Sequence, residues 1–163
     1  MKIRSAELTD ITGINEIGNQ AIRDSFRTAI DKEISLEERV AWFQSRSRLR
    51  YPVWICEKGN QVLGWLSMDP YREGRELLSG TALISYFVHY DHHGKGIGSA
   101  LLKHLLAHAP EHIRVVFAII IDGNEESIRL LKKFGFEQWA RLPKVIAVNK
   151  VFRDQVYLGK ILR

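Results

Sequence analysis

The stretch that most constrains the fold is a corner. An apolar strand, Ile84–His89, runs through His93-Gly94-Lys95-Gly96-Ile97-Gly98 into a helix beginning near Ser99. Glycines without Cβ atoms let successive backbone N–H groups point outward. The helix behind them adds its own unpaired N–H groups and the positive end of its dipole. A strand, turn and helix joined in this way make a pocket for a diphosphate. The corner is not a nucleotide P-loop, because no Gly-x-x-x-x-Gly-Lys-Ser/Thr occurs, and it lacks the dinucleotide spacing Gly-x-Gly-x-x-Gly.

The rest of the chain reads as alternating elements around that corner. Ile3–Ser5 is a short first strand, and Thr9-Asp10 starts a helix carrying Ile11, Ile14, Ile17 and Ile22 at near-helical spacing. Arg23–Ile34 is polar and irregular, a loop expected to lie over a site. Ser35 and Glu38 form a capping box for a second helix that turns Leu36, Val40 and Phe43 inward. Val53–Glu57 and Gln61–Met68 are two strands joined by Lys58-Gly59-Asn60, a hairpin signal. A charged loop over Asp69–Gly80 leads to the strand Thr81–His89. After the glycine corner come a helix over Ser99–Ala109, stopped by Pro110, and the β-branched run Arg114–Ile121, a strand buried on both faces. A helix over Asn124–Lys133 ends at Gly135. Two short strands, Gln138–Leu142 and Phe152–Leu158, close the chain. The order β-α-α-β-β-β-α-β-α-β-β predicts an α/β (α+β) domain over residues 1–163, a mixed sheet with helices on both faces.

Composition narrows the function classes. The 163 residues include one cysteine, Cys56, so no disulfide can form within the chain, which suits a reducing compartment. No apolar run approaches the roughly 18 residues of a membrane span, and the opening Met-Lys-Ile-Arg-Ser-Ala-Glu does not read as a signal peptide. A cytoplasmic protein is expected. The formal net charge of +5 is spread out, with Arg46, Arg48 and Arg50 its densest group, so no nucleic-acid stripe is expected; a mildly basic surface also suits a small anionic ligand. His89, His92 and His93 lack a second cluster at ligand spacing, so no metal site is expected. Trp42, Trp54, Trp65 and Trp139 read as packing residues, and Leu101, Leu102, Leu105 and Leu106 as the buried face of a helix.

The strand Phe87-Val88, the glycine turn His93–Gly98, the later Asn124 and the Phe134-Gly135-Phe136 step together resemble the GCN5-related N-acetyltransferases. Ser25-Phe26-Arg27-Thr28, Arg50-Tyr51-Pro52 and the tail Phe152-Arg153-Asp154-Gln155-Val156-Tyr157 are similar to the phosphinothricin acetyltransferase branch. The resemblance implies a mostly antiparallel sheet that splays after Val88 to admit acetyl-coenzyme A as co-substrate. It implies that His93, Gly94, Lys95, Gly96, Ile97, Gly98 and Ser99 surround the diphosphate. Phe87 and Val88 would offer backbone groups to the pantetheine arm, and Asn124 would bond the arm from the far side. It implies transfer of the acetyl group to a small amine, an amino acid or its analogue, with Phe26, Arg27, Thr28 and Arg75 near that acceptor, and a homodimer.

Two departures leave the proton-handling groups open. The branch's carboxylate falls at Leu83, or Ala82 in some relatives, and the superfamily's tyrosine falls at Leu131. Deprotonating a lysine-like amine of pKa ~10.4 at pH 7 costs about 4–5 kcal/mol, against about 1 kcal/mol for an α-amine near ~7.7–8.0. The chain should therefore favour low-pKa amines or use another base, for which His89, Tyr86 and Glu76 are candidates. The same gaps admit two other readings, an inactive coenzyme A-binding sensor or scaffold and an acetyltransferase of protein N-termini.

Overall fold

Hydrophobic alternation on the central strands sets the layers of this protein. A computed structural model describes residues 1–163. In chain order the elements are β1 (Lys2–Ser5), α1 (Ile11–Arg23), α2 (Leu36–Ser45), β2 (Val53–Lys58), β3 (Gln61–Pro70), β4 (Thr81–Val88), α3 (Ile97–His108), β5 (Val115–Ile121), α4 (Glu125–Lys133), β6 (Glu137–Val148) and β7 (Val151–Ile161), with short 3₁₀ turns between them. The strands form one seven-stranded sheet in the order β1-β2-β3-β4-β5-β7-β6. Every pairing is antiparallel except β4 with β5.

Period-two alternation sends even-numbered residues of β4, and of β3 from Gly64 onward, to one face and odd-numbered ones to the other. Leu66, Met68, Ala82 and Ile84 join Ile97, Leu101, Leu102, Leu105 and Leu131 in the larger core, beneath α3 and α4. Trp65 joins Ile14, Ile17 and Phe43 in a smaller core beneath α1 and α2, with Phe87 packed against it. Helices therefore cover both faces.

The expected element order is present, with four local differences. The glycine corner enters its helix at Ile97, two residues before Ser99, because Gly96 takes a left-handed φ of 79° and caps the helix itself. The closing strands are long, not short: β6 spans 12 residues and β7 spans 11. A register shift between Leu142 and Ile146 absorbs Pro143 and lets β6 continue past it. Leu36 is exposed, not inward. In its place α2 buries Arg39, whose guanidinium lies 5.1 Å and 5.6 Å from the rings of Trp42 and Trp65. Finally, β4 and β5 separate earlier than Val88. Their pairing covers only Thr81↔Val115, Ala82↔Val116 and Leu83↔Phe117, so the strands part after Leu83.

A polar clasp closes the opposite edge of the sheet. Arg4 donates to both oxygens of Asp10 (2.7 and 2.9 Å) and to Glu57 (2.8 Å), tying β1 and β2 to the entry of α1. Burial alone would raise the Asp10 carboxyl, but the bonds from Arg4 and the Glu7 N–H hold it below its ordinary value. A depressed carboxyl stabilises the fold above its unfolded pKa and stops doing so as pH falls through the folded value. Asp10→Asn is therefore expected to cost about 2 kcal/mol at pH 7, the scale of charged hydrogen bonds. Urea midpoints of the two proteins should converge as pH falls below the ordinary carboxylate range and the Asp10 carboxyl is protonated.

Candidate active site

The separation of β4 from β5 opens the main cleft, of about 620 Å³. Its walls are Ile84–Val88 of β4 and Ala118–Ile121 of β5. The glycine corner with the start of α3 closes one end, and Asn124, Ser127 and Leu130 line the α4 side. Arg27, Thr28 and Ala29 of the loop after α1 overhang it. Ile119 and Ile120 are half-exposed for this reason, although their strand reads as fully buried.

The corner is built to expose backbone. Gly94 and Gly96 have φ values of 74° and 79°, a region that L residues rarely adopt. A Cβ on either would meet nothing within 4 Å, so the surface in front of them is open. Gly98 does a different job. A Cβ there would lie 2.9 Å from Leu130 Cδ2, so this glycine lets α3 approach α4. The His93 N–H bonds to Tyr90 O and the Ala100 N–H to Gly96 O, but the N–H groups of residues 94 to 99 find no acceptor within the chain. These donors stand at the positive end of a 12-residue helix.

Register decides which backbone groups of β4 face the gap. The His89 N–H donates to Leu63 O, and Thr81 O accepts from the Tyr71 N–H, so odd-numbered residues of β4 direct their backbone to β3. The N–H and C=O groups of Tyr86 and Val88 therefore turn into the cleft. Phe87, expected to share that role, is turned to β3 and contributes only its ring, 4.9 Å from that of Trp65. The Val88 carbonyl already meets His93 Nε2 at 3.0 Å, leaving the Val88 N–H as the free donor.

The remaining expected residues divide. Asn124 caps α4 by accepting from the Ser127 N–H (3.4 Å) and also accepts from Arg27 Nη1 (2.9 Å), so Arg27 bridges the cleft from its loop to α4. Asp24 holds Arg27 from behind at 2.9 Å. Tyr90 donates to Asp24 at 2.7 Å, and burial together with that carboxylate pushes its phenol up to about 12. Thr28 lines the cleft, but Phe26 does not: its φ is 70° and its ring lies 5.0 Å from the Arg153 guanidinium. Lys95 is also turned aside, its Nζ held 2.8 Å from Asp91 O. Arg75 lies in a second cleft of about 570 Å³ between α2 and the loop after β3.

Of the three candidate bases, one reaches the main cleft. Glu76 lines the second cleft, on a 3₁₀ turn over Glu76–Leu78. His89 spends its ring on the chain: Nδ1 accepts from the Asp91 N–H and Nε2 lies 3.2 Å from Gln20 Nε2. Tyr86 crosses the cleft and its hydroxyl donates to Ser127 O at 3.4 Å. Burial pushes its phenol up to about 12, so near neutral pH it donates a proton and does not accept one. Among His, Cys, Asp and Glu side chains no group is placed to hold a metal, and no helix is long and apolar enough to cross a membrane. Sequence reading missed Ser85, which lines the cleft, because one serine in an apolar strand carries no local signal. Its facing direction follows from the register.

Comparison with known proteins agrees with this geometry. The family model described as Acetyltransferase (GNAT) family matches residues 19–136. The chain is 34% identical over 154 residues to an L-amino acid N-acyltransferase of Escherichia coli (strain K12), covering 89% of this chain and 84% of that protein. It is 34% identical over 145 residues to an L-methionine sulfoximine/L-methionine sulfone acetyltransferase of Pseudomonas paraeruginosa, covering 88% and 84%. A Salmonella typhimurium protein solved with its cofactor acetyl-CoA superposes with a TM-score of 0.93 at 31% identity, over 99% of this chain and 94% of that one.

Proposed function

The chain belongs to the GNAT family of acetyltransferases, enzymes with acetyl-CoA as co-substrate, and on that premise we propose that it acetylates the amino group of a free amino acid or amino-acid analogue. The observation that carries the reading is the row of undonated N–H groups from Gly94 to Ser99, set at the mouth of the gap between β4 and β5. Those amides fit a diphosphate, and the Tyr86 backbone groups fit an amide of a pantetheine arm. When bound there, acetyl-CoA supplies an activated acetyl group.

The chain's own residues then have separable tasks. The Val88 N–H donates to the carbonyl oxygen on which negative charge develops during attack. The Tyr86 hydroxyl, held as a donor, is the group from which a departing thiolate takes a proton. Arg27, with Thr28 beside it, offers charge to an acceptor carboxylate. No carboxylate lines the cleft from β4, where Leu83 stands; the one on the cleft wall, Glu126, is at the start of α4, and on this reading the amine reaches the site already neutral.

That last point gives the test. With a panel of free amino acids, L-methionine sulfoximine and lysine-like amines, kcat/KM should rise about tenfold per pH unit until the pKa of each amine, by simple protonation arithmetic. The break should move from acceptor to acceptor. A break fixed at one pH for every acceptor would mean that a protein group is the base. The second reading, a coenzyme A-binding module without catalysis, is favoured by Leu83 and Leu131 alone. Turnover of any amine above hydrolysis removes it.

A further inference from the structure

A chain of four side chains runs across the main cleft, from beside the glycine corner to α4. The Tyr90 hydroxyl donates to Asp24 Oδ2 at 2.7 Å. The same oxygen accepts from Arg27 Nε at 2.9 Å. Arg27 Nη1 then donates to Asn124 Oδ1 at 2.9 Å, which brings the chain to the N-cap of α4. Tyr90, Arg27 and Asn124 all line the cleft. The loop is tied down a second time next to Arg27, where the Phe26 ring lies 5.0 Å from the Arg153 guanidinium on β7. Arg27 is therefore held from both sides.

Chemistry fixes the direction of each bond. The Tyr90 hydroxyl, with Arg27 beside it, keeps the Asp24 carboxyl below its usual range, so Asp24 only accepts. A guanidinium only donates. The Asn124 carboxamide must then turn its oxygen toward Arg27, and that oxygen also accepts from the Ser127 N–H at 3.4 Å. The reversed amide would set its own hydrogens against two donors. Asn124 Nδ2 is left as the free end, with no acceptor for it within the chain. Arg27 keeps donors as well. Two of the five guanidinium N–H groups are committed, to Asp24 and Asn124, and the side chain is 38% exposed.

We propose that Arg27 is a positioning residue for acetyl-CoA, holding the Asn124 carboxamide so that Nδ2 donates to a carbonyl of the pantetheine arm, and that it thereby couples the cofactor to the acceptor carboxylate. The proposal rests on the N-acetyltransferase reading above. Asn124, once bonded to the arm, is held still, and Arg27 with it. Less side-chain freedom is then lost when a carboxylate meets the remaining Arg27 donors. Linkage makes the effect reciprocal.

The test uses the full chain, coenzyme A, which binds without turnover, and the amino acid with the highest kcat/KM in the panel above. Calorimetry gives the coenzyme A Kd alone and with that amino acid saturating. In the parent the amino acid should tighten coenzyme A about fivefold, the lower end of typical couplings. Arg27→Ala should weaken coenzyme A about fivefold, the scale of one neutral hydrogen bond, and abolish the tightening. Asn124→Ser keeps a capping oxygen for α4 but loses Nδ2, and should weaken coenzyme A by a similar factor. Adding Arg27→Ala to Asn124→Ser should change the Kd no further, because Arg27 acts through Asn124. A coenzyme A Kd within twofold of the parent in Arg27→Ala overturns the proposal. Additive losses in the double variant, or a parent Kd that the amino acid leaves unchanged, overturn it too. Should Asn124→Ser fail to fold, Arg27→Ala decides alone. A parent that binds coenzyme A but acetylates no amino acid rejects the acceptor reading itself, while the Arg27→Ala Kd still decides what Arg27 does to Asn124.

Discussion

Gly96→Val is expected to weaken acetyl-CoA binding by about a hundredfold while leaving the fold intact. Gly96 has a φ of 79° and caps α3. An ordinary L residue in that conformation costs about 1–2 kcal/mol, and a β-branched one is a stronger outlier. The turn relieves that strain by rotating its peptide planes, which re-aims the N–H groups of residues 95 to 97. Each lost bond from an amide to a charged group adds about 1.5–3 kcal/mol. One such bond plus the strain comes to about 2.5–5 kcal/mol, a range centred above the roughly 2.7 kcal/mol that corresponds to a factor of one hundred. Calorimetry gives the Kd, and a melting curve shows that the domain still folds. A Kd within threefold of the parent would show that the corner does not hold the diphosphate. Gly98 offers a contrasting control, because a side chain there strikes Leu130 Cδ2 at 2.9 Å. Its replacement should lower stability as well as binding.

Tyr86→Phe is expected to lower kcat by about a hundredfold, the lower end of what a positioned acid contributes, with the acetyl-CoA Kd almost unchanged. The phenol lies across the cleft, 3.4 Å from Ser127 O, and burial pushes it up to about 12. At neutral pH it is therefore fully protonated, and the parent's rate should show no loss from its ionisation until well above pH 10. Phenylalanine keeps the ring and its packing, so stability should change little. A kcat within twofold of the parent would remove Tyr86 from the reaction and leave solvent as the proton source.

How much of this was legible in the residues follows from the range of each signal. The glycine corner, the Ser35/Glu38 capping box and the hairpin at Gly59-Asn60 are local, and each is present where the sequence implies it. The mixed, mostly antiparallel sheet with helices on both faces followed from periodicity combined with the resemblance. Leu36 misled because α2 buries an arginine against two tryptophan rings, which no hydrophobic count anticipates. The long β6 was hidden by Pro143, which reads as a terminator but sits in a register shift. Site assignments failed where they depended on pairing between distant strands. His89 looked like a free imidazole, but Asp91 and Gln20 occupy its nitrogens. Phe87 and Val88 are adjacent in sequence, yet register turns their backbones to opposite sides. Ser85 is seen to line the cleft only once β4 is placed in the sheet.

The proposed function stands on the free amides of the glycine corner gripping the diphosphate of acetyl-CoA. Amide resonances of uniformly ¹⁵N-labelled protein test it residue by residue, with acetyl-CoA titrated in one experiment and a pantetheine fragment lacking the diphosphate in another. Large shifts are expected at Gly96, Ile97, Gly98 and Ser99 with acetyl-CoA and none there with the fragment. Resonances at these four positions that stay fixed while others move with acetyl-CoA would contradict it.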